Sequence, residues 1–134
     1  MHTTKNNLQV LFEDNHILIV NKRAGDITQG DKTGDKPLSD VVKAYLKDKY
    51  NKPGNVYLGL THRLDRPVSG LMVLTKTSKA ASRISQLIRE HQLKKTYWAI
   101  VHGRTPLEAT YEHFLKKDSK TNKTKSYDQT RTKT

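Results

Sequence analysis

Two apolar runs, VYLGL at 56–60 and LMVLTK at 71–76, stand on either side of the segment THRLDRPVSG at 61–70. Both runs read as buried strands, so the polar segment between them is a connection joining two sheet elements. Connections held by rigid strands are favoured places for chemistry. In this one, Arg63 and Arg66 flank a single Asp65, with Pro67 and Gly70 close behind.

The rest of the chain supplies more elements. Leu8, Val10 and Phe12 alternate with other residues, Asp14 and Asn15 offer turn chemistry, and HILIVNK follows, which together predict a β-hairpin. Residues 23–36, RAGDITQGDKTGDK, hold three glycines and three aspartates and suit an exposed loop rather than packed structure. From Pro37 onward, Leu38, Val41, Val42, Tyr45 and Leu46 recur at helical spacing, and NKPG at 51–54 ends that helix. Thr77 or Ser78 can cap a second helix, in which Ala81, Ile84, Leu87, Ile88 and His91 share a face. TYWAIV at 96–101 and TYEHFLK at 110–116 read as two further strands. The order is β, β, α, β, β, α, β, β, and the fold class is α+β with a mixed, largely antiparallel sheet flanked by helices.

Size and charge narrow the function. A chain of 134 residues fits one small domain with a modest core. Its 25 Lys and Arg against 13 Asp and Glu give a formal net charge of +12, which draws it toward phosphate polymers or anionic surfaces. Seven basic residues and two acids lie in the last nineteen positions, which contain one aromatic and no aliphatic side chain and are not expected to order alone. The other 115 residues still carry +7, so the body is basic without its tail. With no cysteine, disulfides, thiolate nucleophiles and Cys-ligated zinc are excluded. No apolar run approaches the ~20 residues of a membrane helix, and no secretory signal opens the chain, so a cytoplasmic setting is expected.

His62, Arg63, Leu64 and Asp65 support several readings. No HExxH and no further cluster of ligands completes a metal site around His62 and Asp65. A kinase catalytic loop would order these residues differently and would come with Gly-rich, DFG and APE elements, which are missing. Glycosidase chemistry needs a second acid near Asp65, and none is evident. Spacing alone favours an ordinary role for Asp65 as a turn residue and for His62 as a local hydrogen-bonding group. Against that stand the charges of Arg63 and Arg66, which would hold Asp65 ionised as a nucleophile or base, or would attract nucleic-acid phosphate. Tyr97 and Trp98 are by default core side chains, although a tyrosine beside Lys94 and Lys95 can also stack on a nucleobase.

As a set, HRLDRPVSG at 62–70, LMVLTKTSKAASRIS at 71–85, KKTYWAIVHG at 94–103 and EDNHILIVNKRAG at 13–25 resemble the RluA-like pseudouridine synthases over roughly residues 8–118. The resemblance implies isomerisation of uridine to pseudouridine in structured rRNA or tRNA, with no metal and no organic cofactor. Asp65 aligns with the catalytic aspartate. Arg63 would enter the space left by the flipped base, and Tyr97 would pack on the uracil and assist proton transfer. Arg66 and Lys95 would contact phosphate, with surface solvation as the alternative, and His62 and Leu64 would support the loop. Whether Asp65 attacks the sugar or removes a sugar proton stays open.

The chain departs from the family pattern at Arg23-Ala24, where Pro is usual after Lys22, and at Val68, where Thr is usual. The family also continues into a Thr-Gly-Arg-x-His-Gln-Ile-Arg block that does not occur here. The resemblance therefore implies an incomplete pseudouridine synthase fold. Residues 1–118 would be the amino-terminal part of the catalytic domain, and 119–134 a polar basic tail, disordered or an unfinished strand. The alternative is a non-catalytic basic RNA-binding remnant.

Overall fold

In the computed structural model, which describes residues 2–128, the two central strands form at the apolar runs ILIV at 17–20 and LMVL at 71–74. β1 (Val10–Glu13) and β2 (Ile17–Lys22) make the first hairpin. Asp14 closes it, because its Oδ1 accepts the backbone N–H groups of His16 and Ile17, each at 2.7 Å. Along β2 the inward positions Leu18, Val20 and Lys22 are buried, and Ile17, Ile19 and Asn21 between them are half-buried. After α1 (Leu38–Lys49) come β3 (Gly59–Leu60), β4 (Gly70–Thr75) and α2 (Ser78–Arg89). The sheet order is β1-β2-β4-β3, and every pairing is antiparallel. The β2–β4 register runs from Ile17 opposite Thr75 to Lys22 opposite Gly70, so Lys22 ends its strand where the Asp65 connection rejoins the sheet.

One core unites the sheet with the first helix. Leu18, Val20, Met72 and Leu74 from the strands pack with Leu38, Val42 and Leu46 of α1. Each of these buried side chains contributes roughly 1.5–3 kcal/mol of transfer free energy. Gly59 lets β3 sit close to its neighbours, since a Cβ there would collide with Thr75 Oγ1 and approach Ala81 Cβ to 3.1 Å.

The far end of β1 is fastened by charge. Glu13 accepts hydrogen bonds from Tyr45 (2.9 Å), Lys49 (2.8 Å), Lys76 (3.0 Å) and Tyr50, which ties the first hairpin to α1 and to the end of β4. Burial pushes the Glu13 carboxyl upward, but those donors together outweigh it and hold it at about 2.

Residues 23–36 are not wholly an exposed loop: Asp26, Ile27 and Thr28 are buried, between exposed Ala24-Gly25 and the exposed stretch from Gln29 to Lys36. The reason lies in the start of α1, where Pro37 is the cap and offers no side-chain acceptor. The helix's first amides still need partners. Leu38 N–H and Ser39 N–H find them in the carbonyls of Ile27 (2.8 Å) and Thr28 (3.1 Å), which draws that part of the loop inward.

α2 begins as expected, with Thr77 Oγ1 accepting from Ala80 N–H at 3.1 Å. It ends at Arg89, so His91 does not continue the apolar face; it is exposed, with φ of 53°.

The chain divides into two compact units, Met1–Lys95 and Thr96–Thr134. In the second, TYWAIV is not a strand, and Trp98 is 98% exposed. Its β-branched and aromatic composition fits a pleated surface, but among the described residues no strand pairs with it. The last two strands are instead β5 (Phe114–Asp118) and β6 (Lys123–Tyr127), an antiparallel hairpin. β6 falls in the polar stretch not expected to order. Its stability comes from the backbone ladder and from a turn rather than from apolar burial, for Asp118 Oδ1 accepts Lys120 N–H at 2.8 Å and Asn122 takes a left-handed φ of 54°. The described residues thus form an α+β arrangement with antiparallel sheets.

Candidate active-site loop

Residues 61–69 leave β3 and return to β4 with almost every hold on the loop applied to its backbone. Lys22 is completely buried, and its ammonium donates to four carbonyls: Val68 at 2.6 Å, Arg23 and Asp65 at 3.1 Å, and Arg66 at 3.2 Å. Burial pulls the Lys22 ammonium below the usual lysine value, and the charges of Asp26 and Asp65 offset this only in part. Gly25 N–H adds a bond to Arg66 O at 2.7 Å, and Thr28 Oγ1 donates to Leu64 O at 2.9 Å. Within the loop, Val68 N–H donates to Asp65 O at 3.0 Å and closes a turn across Arg66 and Pro67. Gly70 ends it at φ 144°, a conformation that side-chain-bearing residues rarely adopt.

His62 holds the other end. β3 leaves the sheet after Leu60, and the His62 Nε2 accepts Val73 N–H at 3.0 Å in place of a continuing strand. Burial, followed by the nearby charge of Lys95, lowers the pKa of His62, which suits a neutral imidazole acting as an acceptor.

Fixing the backbone leaves the side chains of Asp65 and Arg63 exposed on a braced turn. Arg66, expected to help hold Asp65 ionised, is otherwise engaged: its Nη2 pairs with Asp35 Oδ2 at 2.6 Å. The cation beneath the turn is Lys22. Asp65, Arg63, Arg66 and Lys95 all belong to the first unit, with Lys95 close enough to His62 to affect its titration. Tyr97 belongs to the second unit, where it is 63% exposed. Sequence reasoning did not single out Lys22, Gly25 or Thr28 as parts of this site.

A carboxylate on such a turn, open to solvent, can act as a nucleophile or a base toward a ligand that approaches from outside. Comparison with known proteins adds a context for that chemistry. The family described as RNA pseudouridylate synthase matches residues 16–134. Ribosomal large subunit pseudouridine synthase C of Buchnera aphidicola subsp. Acyrthosiphon pisum is 35% identical over 105 residues, covering 78% of this chain and 32% of that protein. tRNA pseudouridine synthase C of Vibrio parahaemolyticus is 33% identical over 109 residues, covering 81% and 42%. The solved structure of Human RNA Pseudouridylate Synthase Domain Containing 4 is similar with a TM-score of 0.54 and 27% identity, over 63% of this chain and 30% of that one. The chain spans about a third of the length of the curated relatives it matches.

Proposed function

Because this chain belongs to the RNA pseudouridylate synthase family, we propose that it is the amino-terminal part of a catalytic domain that isomerises uridine to pseudouridine in structured rRNA or tRNA. The observation that carries the reading is the exposed Asp65 on a turn whose carbonyls are tied to buried Lys22. A target uridine leaves its stack and offers its sugar to the Asp65 carboxylate. The bond from N1 of the base to the anomeric carbon breaks, the uracil turns, and C5 bonds to the same carbon. N1 gains a proton and C5 loses one, so the reaction is a balanced isomerisation that calls for no cofactor.

Asp65 acts either by attacking the anomeric carbon or by taking a sugar proton. Arg63, exposed two residues earlier, fills the space of the flipped base. Lys95 contacts phosphate. Arg66 does so only by exchanging its Asp35 partner, and this pair is exposed on both sides and worth at most about 1 kcal/mol.

Pseudouridine formation in rRNA and tRNA, measured after incubation with the wild type and with Asp65→Ala, tests the proposal. Product from the wild type and none from the variant is expected. No product from either, with RNA still bound, would refute turnover by this chain. It would leave the second reading, a basic RNA-binding module, which the formal net charge of +12 favours.

A further inference from the structure

We infer that one face of the β5–β6 hairpin is an RNA-docking surface, in which Lys116 and Lys125 grip a phosphate and Phe114 and Tyr127 take an adjacent base. The inference rests on the reading of RNA as the partner and extends it to a site that catalysis does not use. Phe114 pairs with Tyr127, Lys116 with Lys125, and Asp118 with Lys123, so these six side chains stand on the same face. The opposite face carries Leu115, Lys117, Thr124 and Ser126.

The pairing of Lys116 with Lys125 is what points to a ligand. Like charges directly opposite each other weaken an antiparallel pair, and a hairpin that gains little from apolar burial has scant reserve to tolerate them. Neither nearby acid neutralises them. Asp118 turns its carboxylate to the amides of Lys120 and Thr121, and Asp128 pairs with His113 at 3.3 Å. Among the described residues, no carboxylate forms an ion pair with Lys116 or Lys125. An anion between the two ammonium groups would remove the repulsion.

Phe114, half exposed at 50%, and its partner Tyr127 lie about 7 Å along the strands from the lysine pair, two residues at roughly 3.3 Å each. One nucleotide can therefore place its phosphate on the lysines and its base on the rings. Residues 114–127 hold five lysines and one acid, a charge complementary to a phosphate chain. Stacking on aromatic side chains tolerates any base, so the face suits single-stranded RNA beside a structured element.

The two halves of the face have separable signatures in fluorescence anisotropy of the full chain with a labelled stem-loop RNA carrying a single-stranded arm. Lys116→Gln with Lys125→Gln should lower the salt slope of log affinity by about 0.7, the contribution of the one phosphate that the two lysines grip on a single strand. Thermal stability should hold or rise, since the repulsive pair is gone. Phe114→Ala should weaken binding about tenfold and leave the slope unchanged. RNA binding by the wild type with an unaltered slope in the lysine variant would overturn this inference alone. Failure of the wild type to bind any RNA would overturn both it and the proposed function.

Discussion

Replacing Lys22 with Met keeps an unbranched chain out to Cε and removes the ammonium on which four carbonyls converge. Three of them retain a second donor: Arg66 O keeps Gly25 N–H at 2.7 Å, Asp65 O keeps Val68 N–H at 3.0 Å, and Arg23 O keeps Asp26 N–H at 3.3 Å. Val68 O, the closest to the ammonium at 2.6 Å, has no other donor among the described residues. Stranding it costs about 1–3 kcal/mol, and losing a charged donor at the other three costs roughly 0.5–1 kcal/mol each. Relief from burying an ammonium works in the opposite direction, and the lowered pKa of Lys22 shows that burial does disfavour its charge. The net expectation is a destabilisation of about 2 kcal/mol. At a urea slope of about 2 kcal/mol per molar, the midpoint should fall by about 1 M. In native-state hydrogen exchange, the amides of Gly25 and Val68 should lose protection before those of β2 and β4. A midpoint lowered by less than about 0.2 M would refute the energetic argument. A lowered midpoint with Gly25 and Val68 still protected would refute the bracing of the Asp65 turn.

Two further perturbations test other parts of the structure. Gly70→Ala puts a side chain at φ 144° and should cost about 1–3 kcal/mol, whereas Gly30→Ala, with open space and no left-handed φ, should stay within about 0.5 kcal/mol by urea denaturation. Glu13 has a folded pKa of about 2 against an ordinary 4.5, so its stabilisation is fully present above pH 4.5 and is lost as the pH falls toward 2. The difference is worth ~3 kcal/mol, reduced to about 2 by the water that reaches Lys49 and Tyr50, and Glu13→Gln should remove this share of the pH dependence of unfolding free energy.

Periodicity made β2, β4, α1 and α2 legible, because each turns one face inward, fully buried on β2, β4 and α1 and half-buried at Ala81, Ile84, Leu87 and Ile88 of α2. It misplaced the last strands. TYWAIV has strand composition, yet strand composition expresses fit to a surface that must be provided, and Tyr97, Trp98 and Ile100 are exposed. β6 has little such composition and forms through a ladder and a turn, to which apolar counting is blind. The inward path of Asp26–Thr28 was hidden for a related reason, since it supplies carbonyls to α1 and every residue type has a carbonyl.

The same distinction runs through the candidate site. Asp65 and Arg63 can be picked out of a sequence because their chemistry is in their side chains, and a family resemblance attaches to such residues. What holds them is an arrangement of main-chain oxygens from Leu64, Asp65, Arg66 and Val68, and an acceptor of this kind leaves no mark on the choice of amino acid. Only the donors leave one, and Lys22 left the clearest. In ILIVNK the alternation that sends Leu18 and Val20 inward sends Lys22 the same way, toward the core at the end of a strand. A lysine at an inward position must either bend out to solvent or find several acceptors at once. Here the acceptors include the carbonyls of the turn that carries Asp65, so the out-of-place charge on β2 was the clearest sign in the sequence of how that turn is held.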